Sequence, residues 1–338
     1  MNQPTLIKGV LVGVPAGMIV IGIISLFFFD GVPEAGDDQG NRAEDFLRAP
    51  VNEEDLRRWV ERLSMDIGPR PGSDVTKSRI CAKWIESELS EENMGYRPEV
   101  RFFEVDGIEY RNVEAQLPGT TRAAEVVVVG AHYDSVAGSP GANDNATGVA
   151  AMLALAQAFT GLENARTLRF VAFANEEPPY FQTESMGSLV YARACREKGE
   201  KIVGMISLES LGYYSDEKNS QRFPPGLRKF YPDTGNFVGI VGDESSKPLV
   251  EEFYGNFRSI SDFPVQKAAL PDELPGIGWS DHWSFWQNGY QALMVTDTAT
   301  YRYPHYHKLS DTPDKIDFTR YTRVVKALSG ALKKLVNP

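Results

Sequence analysis

Three histidines and a set of carboxylates in this 338-residue chain fall past runs that read as β-strands. His132 and Asp134 follow Val126–Val129, and Asn143-Asp144-Asn145 leads into an Ala- and Leu-rich run. Glu176 and Glu177 follow Thr167–Phe173, Glu209 follows Ile202–Leu208, and His305 and His307 come after Ala292–Thr296. Imidazoles and carboxylates with no thiolate suit zinc, or a harder ion such as manganese or cobalt. The carboxylates outnumber what one zinc needs, which points to two metals sharing a bridging aspartate. Such a pair activates a water and polarises a carbonyl. Competing templates are absent: there is no H-E-x-x-H, no G-x-x-x-x-G-K-[ST], no G-x-S-x-G and no G-x-G-x-x-G after a strand.

The elements that must position these groups alternate along the chain. Asn52 caps an expected helix to about Leu63, and Asp74 opens another to about Leu89. Val126–Val129 is a β-branched run of the kind buried on both faces of a sheet. Helix is expected over Gly148–Phe159, Ser185–Lys198, Ser246–Phe257 and Phe318–Val336. Strand is expected over Thr167–Phe173, Ile202–Leu208, Asn236–Val241 and Ala292–Thr296. This alternation implies an α/β fold with a mostly parallel sheet covered by helices. Ligands of such sheets bind beyond the carboxyl ends of the strands. The polar clusters lie at those ends.

The ordered motifs Gly130-Ala131-His132-Tyr133-Asp134-Ser135, Gly141-Ala142-Asn143-Asp144-Asn145-Ala146-Thr147-Gly148, Asn175-Glu176-Glu177, Ser280-Asp281-His282 and Tyr306-His307-x-x-Ser310-Asp311-Thr312 resemble the zinc-dependent aminopeptidase family. That family includes double-zinc leucine aminopeptidases, glutamate carboxypeptidase ectodomains and glutaminyl cyclases. Gly68-Pro69-Arg70 and Arg111-Asn112-Val113-Glu114 look like its run-in, so the resemblance covers about residues 51–336. It implies a three-layer α/β/α domain with a central, mostly parallel mixed sheet. It also implies that His132 and Glu209 hold one zinc, Glu177 and His307 a second, and that Asp144 bridges both. Asp134 would orient His132 through its other ring nitrogen. Glu176 would be the general base, and Tyr306 would stabilise the tetrahedral oxyanion. Most members carry Asp in a run like N-L-D where this chain has Ser207-Leu208-Glu209. The longer side chain can still ligate. His305 is set aside as a ligand because the spacing to Asp311-Thr312 fits His307, and His282 reads as structural or substrate-lining.

Composition narrows the partners. A net charge of −11 leaves no basic surplus for a phosphate backbone, so no nucleic-acid partner is expected. Cys81 and Cys195, the only two cysteines, make neither a disulfide scaffold nor a cysteine zinc site; both read as buried free thiols.

Residues 9–29 (GVLVGVPAGMIVIGIISLFFF) carry no charge and as a helix would span about 31 Å, a bilayer's hydrocarbon core. Lys8 precedes this segment, whereas Asp30, Glu34, Asp37 and Asp38 follow it. Positive-inside then makes 1–8 a cytoplasmic stub and 9–29 a single transmembrane anchor. A cleaved signal peptide is the alternative, disfavoured because its apolar region is shorter and no A-x-A site follows. Residues 30–50 form an acidic tether, and 51–338 a catalytic domain on the periplasmic or extracellular side.

The expected activity is removal of N-terminal residues from peptides with a free amino terminus. Two alternatives stand beside it: a glutaminyl cyclase that expels ammonia with one zinc, kept open by the long Pro178–Gly187 insert, and a non-catalytic receptor-like ectodomain. Tyr213–Phe237, long, polar and aromatic, is expected to flank the cleft. Tyr133, Tyr180, Phe181, Trp279 and Trp283 are candidates for its lining.

Overall fold

The computed structural model describes residues 50–338 apart from Pro225. The expected stub, the anchor 9–29 and the tether up to residue 49 lie outside the described residues. Among those described, no helix is long and apolar enough to cross a membrane.

Eight strands form one mixed sheet: β1 (Glu99–Val105), β2 (Ile108–Leu117), β3 (Arg122–His132), β4 (Arg166–Phe173), β5 (Lys201–Glu209), β6 (Val238–Gly242), β7 (Val265–Ala269) and β8 (Ala292–Thr296). Their order across the sheet is β1-β2-β4-β3-β5-β8-β6-β7. The central block β4-β3-β5-β8 is parallel throughout, and β6 pairs parallel with β7. The pairings β1/β2, β2/β4 and β6/β8 are antiparallel. Because the four central strands point one way, their carboxyl ends share one edge.

The β3 run shows why the sheet is sandwiched. Val127, Val129 and Ala131 pack into the larger core, while Val126 and Val128 pack into a second core on the opposite face. Side chains alternate across a strand, so an unbroken apolar run needs a cover on both sides. One face is covered by α1 (Glu53–Glu61), α2 (Val75–Leu89), α3 (Thr147–Phe159), α5 (Lys247–Arg258) and α8 (Phe318–Val336). The other is covered by α4 (Gly187–Glu197) and the short α6 (His282–Trp286). A further short helix, α7 (Ala299–Arg302), follows β8. The expected three layers are present. All of α3 except Gln157 is buried, as suits a helix apolar on every side. The Asn52 and Asp74 side chains accept from the N–H of Asp55 and Lys77, capping α1 and α2 as expected. Beyond α1 the chain runs on as a π-helical turn, Arg62–Ile67. Cys81 and Cys195 are buried and unpaired.

Three strands escape the sequence reading. β1 and β2 form a hairpin whose two-residue turn is Asp106-Gly107, both at positive φ, the combination that two-residue hairpins favour. The third is β7, five residues long at the far edge.

Candidate active site

The sheet edge delivers the side chains from β3, β4 and β5, and the loops after α7 and before α3 supply the rest. His132 closes β3, and its Nε2 lies 3.0 Å from Glu209 Oε2 at the end of neighbouring β5. The same nitrogen is 3.5 Å from Asp144 Oδ1 and 3.8 Å from Glu176 Oε2. Its Nδ1 is 3.2 Å from the Asp134 carbonyl and 3.7 Å from Asp134 Oδ1. The Asp134 carboxylate also accepts the backbone N–H groups of Glu176 and Glu177 at 3.1 and 3.0 Å. It therefore fixes the Glu176-Glu177 turn after β4 as well as flanking the imidazole. On the other side of Asp144, His307 Nε2 lies 3.1 Å from Asp144 Oδ2 and 3.3 Å from Glu177 Oε2.

These groups resolve into two sets of three. One is His132, Asp144 and Glu209; the other is Asp144, Glu177 and His307. Within each set the ligand atoms lie within 4.8 Å of one another, and Asp144 belongs to both. Zinc–nitrogen and zinc–oxygen bonds are about 2 Å, so two ligands of one ion lie up to about 4 Å apart. The imidazole-to-carboxylate distances of 3.0 and 3.5 Å in one set and 3.1 and 3.3 Å in the other fall inside that reach. His307 Nε2 is buried and makes no aligned hydrogen bond, although two carboxylate oxygens lie close by. A nitrogen that aims between two oxygens is what a shared cation would organise. The donor types and their convergence fit zinc.

Residues 141–147 hold the shared aspartate out of helical geometry, with Asp144 at φ −112° and ψ 92°. Asn143 Nδ2 donates to Asp297 Oδ2 at 2.9 Å. Asn145 Nδ2 donates to the Leu208 carbonyl, and Asn145 Oδ1 accepts from Ser210 N and Gly148 N. A Cβ at Gly148 would sit 2.3 Å from the Leu208 carbonyl, so only glycine lets α3 start this close to β5. Below the loop, the fully buried Arg70 donates to the carbonyls of Tyr133, Pro140 and Gly141.

Crowded buried carboxylates repel one another. Burial, reinforced by the neighbouring Asp144, lifts Glu177 to about 7. Burial also holds Glu176 well above the usual carboxylate range; nearby His132 opposes the rise, and Glu177 and Glu209 add to it. Burial alone would lower His307, but its contacts with Asp144 and Glu177 outweigh it and raise the imidazole to about 10. The site carries an excess of negative charge, and a divalent cation would relieve it.

All eight sequence-derived site residues thus come together: His132, Asp134, Asp144, Glu176, Glu177, Glu209, Tyr306 and His307. Tyr306 stacks on His307, ring centroids 3.8 Å apart. His305 bonds Ser310 Oγ and is in neither ligand set, and His282 is buried with Nε2 2.7 Å from the Ile277 carbonyl. Apart from Asp134, the groups that hold these side chains were given no role by sequence reasoning. Ser280 and Ser210 donate to the two oxygens of Glu209, at 2.8 and 3.0 Å. Ser280 stands in a quoted motif, but its spacing from Glu209 gives no hint of contact.

Glu209 and Tyr306 also line a cavity with about 820 Å³ of empty space, counting its mouth. Its walls are almost wholly apolar, including Phe223, Leu227, Val241, Leu270, Ile277 and Met294. The 213–237 segment supplies part of the wall, as expected. Of the five candidate aromatics only Trp279, 42% exposed, is among its lining residues; Tyr133 and Tyr180 make packing and hydroxyl contacts elsewhere.

Residues 112–332 match the model of peptidase family M28. The chain is 34% identical over 281 residues to the uncharacterized protein YfbL of Escherichia coli (strain K12), covering 80% of this chain and 85% of that one. It is 25% identical to leucine aminopeptidase 1 of Arthroderma otae, with 85% and 75% covered. Among solved structures, a zinc aminopeptidase from Bacillus subtilis superposes with a TM-score of 0.68 at 17% identity, covering 85% of this chain and 96% of that one. A Fimbriiglobus ruber glutaminyl cyclase superposes with a TM-score of 0.63 at 21% identity, covering 90% and 99%. With the family match spanning most of the chain and its motifs gathered at one sheet edge, the chain belongs to peptidase family M28 and is a hydrolase of the metallo-exopeptidase kind.

Proposed function

We propose that this protein is a zinc aminopeptidase that releases large apolar residues from the N-terminus of peptides, with two zinc ions per chain. The observation that carries the reading is the pair of ligand sets sharing Asp144, opening onto an apolar cavity through Glu209 and Tyr306. His132, Asp144 and Glu209 would hold one ion, and Asp144, Glu177 and His307 the other. When bound, such a pair supplies Lewis-acid polarisation of the scissile carbonyl and lowers the pKa of the attacking water.

The chain's own groups do the rest. Glu176, whose Oε2 is 3.8 Å from His132 Nε2, takes a proton from the attacking water and delivers it to the leaving amine. Tyr306 presents its hydroxyl to the oxyanion of the tetrahedral intermediate. The cavity receives the first side chain and places the first peptide bond beside Glu176. The neighbouring carboxylates supply negative charge for the substrate's free ammonium.

Cyclase chemistry is the second reading, supported by the glutaminyl cyclase likeness in fold. Mass spectrometry with the zinc-loaded protein separates the two. The panel contains peptides with free N-termini, some beginning with Gln, beside N-acetylated copies. Loss of whole first residues from free peptides alone is the expected result. Ammonia loss from the Gln peptides without cleavage would assign the cyclase instead.

The chain is further proposed to be anchored by residues 9–29, with its catalytic domain outside the cytoplasm. The uncharged run and the acidic stretch after it support this orientation. Carbonate-resistant membrane association, with the domain open to protease added outside the cytoplasmic membrane, is expected. Release by carbonate, or protection from that protease, would overturn it.

A further inference from the structure

Asp311 lies four residues beyond His307 on the same loop, yet its carboxylate serves a different ligand. It is fully buried, and its two oxygens accept the backbone N–H groups of consecutive residues: Asn143 at 2.8 Å and Asp144 at 3.2 Å. The Tyr303 hydroxyl donates to the Asn143-facing oxygen at 2.7 Å, and the Asp311 carbonyl accepts from Ala142 N at 3.2 Å. Asp134 does the same for Glu176 and Glu177. Two aspartates each span a pair of consecutive amides, and each pair includes a residue of the ligand sets.

We propose that Asp311 is a positioning residue for the shared ligand, holding Asp144 in register so that the metals bind tightly. The amides of Asn143 and Asp144 sit in a segment whose non-helical geometry leaves them without helical acceptors. Removing the carboxylate strands two buried donors, an arrangement proteins avoid. The segment must then shift until those amides meet other acceptors or water, which turns the Asp144 side chain away from both sets. Asp311 thereby couples the two ligands of the second set: the loop that brings His307 also carries the brace for Asp144.

The inference rests on Asp144 being a metal ligand, so two substitutions are compared in the full chain. Asp311→Asn keeps size and burial but turns an NH2 group toward one of the amides, donor against donor. Zinc stoichiometry is read by elemental analysis, zinc affinity by chelator competition, and fold by circular dichroism and the Tm of the metal-free protein. Asp311→Asn is expected to bind zinc at least ten-fold more weakly with its circular dichroism spectrum retained. Tyr303→Phe, which removes only the hydroxyl on the same carboxylate, should stay within three-fold of wild type. Asp311→Ser carries the same expectation as the asparagine variant should that one fail to fold. A fall in metal-free Tm with zinc affinity within three-fold of wild type would overturn the proposal and leave Asp311 a purely structural residue. Asp144→Asn separates the two layers of the argument. If it loses zinc while Asp311→Asn does not, only the positioning role falls. If it keeps both ions at wild-type affinity, the ligand assignment falls and this inference with it.

Discussion

Ser280 Oγ donates a 2.8 Å hydrogen bond to Glu209 Oε2, the oxygen that faces His132 Nε2 at 3.0 Å. Ser207 Oγ stands 3.0 Å from Ser280 Oγ, and Ser210 Oγ holds the other Glu209 oxygen. A glutamate stands where most members of the resembled family carry aspartate, and hydroxyls on both sides hold its two carboxylate oxygens. Ser280→Ala is expected to weaken zinc binding by about ten-fold or more, in line with roughly 1.5–3 kcal/mol for one hydrogen bond to a charged group. Glu209→Asp withdraws the carboxylate from both serines and should leave fewer than two zinc equivalents after dialysis against limiting metal. Two full equivalents in that variant would mean that the serines do not set the ligand.

Glu176 tests the chemistry apart from the metals. Glu176→Gln preserves shape but removes the proton acceptor, so kcat should fall by roughly 10²–10⁴. Zinc content and Tm should stay at wild-type values, because Glu176 is in neither ligand set. A variant with a tenth or more of wild-type turnover would place the base elsewhere.

The cavity makes a prediction about size. Val241 sits in its wall, partly buried against Leu227, Leu270 and neighbours. Val241→Phe fills space that a large first side chain would occupy. We expect kcat/KM for an N-terminal Phe peptide to drop at least ~10-fold, within the 1–3 kcal/mol reach of such pockets. An N-terminal Ala peptide should change much less. Equal losses for both would show that the cavity does not receive that side chain.

Far from the site, Glu125 accepts from Lys201 Nζ at 3.0 Å and pairs with Arg122 and Arg166 at 2.7 and 2.9 Å. Hydrogen bonds from Lys201, Arg122 and Arg166 draw its carboxyl down to about 2, from an ordinary value of 4.5. A carboxylate depressed in the folded state stabilises fully above its unfolded pKa, and that contribution drains away as pH falls through the folded one. The stability gap between wild type and Glu125→Gln should therefore be widest above pH 5 and should narrow as pH falls from 4.5 toward 2. Denaturant titrations of both proteins at stepped pH measure it. A gap unchanged across that window would mean that the cluster adds nothing.

Three of the proposed ligands, His132, Glu177 and Glu209, were legible because they follow recognisable strand runs, and Asp144 and His307 through the motifs around them. His132 follows four consecutive valines, and Glu209 follows a strand whose inner residues are nearly all buried. The central strands and major helices were legible for the same reason. β1 was not, because an edge strand half open to solvent, Glu99–Val105, mixes charge and apolar residues without a clean period. Its Asp106-Gly107 turn was the signal that could have found it. The cavity was illegible because its wall is assembled from separate segments between Glu209 and Tyr306 that only the fold brings together. Asp311 stood in a recognised motif, but its role was hidden for another reason: its carboxylate serves two backbone amides, which leave no residue-type trace.

The bond from Asp144 N to Asp311 joins residues 167 apart in sequence. A nascent chain emerging from the ribosome, or threading through a translocon, lacks a complete second ligand set until His307, and with it nearly all of the domain, has appeared. Loading of the second set would then be among the last events of biogenesis, and its ion would come from whichever compartment the domain finishes folding in. Zinc availability there, more than in the compartment of synthesis, would govern how much of the protein becomes active.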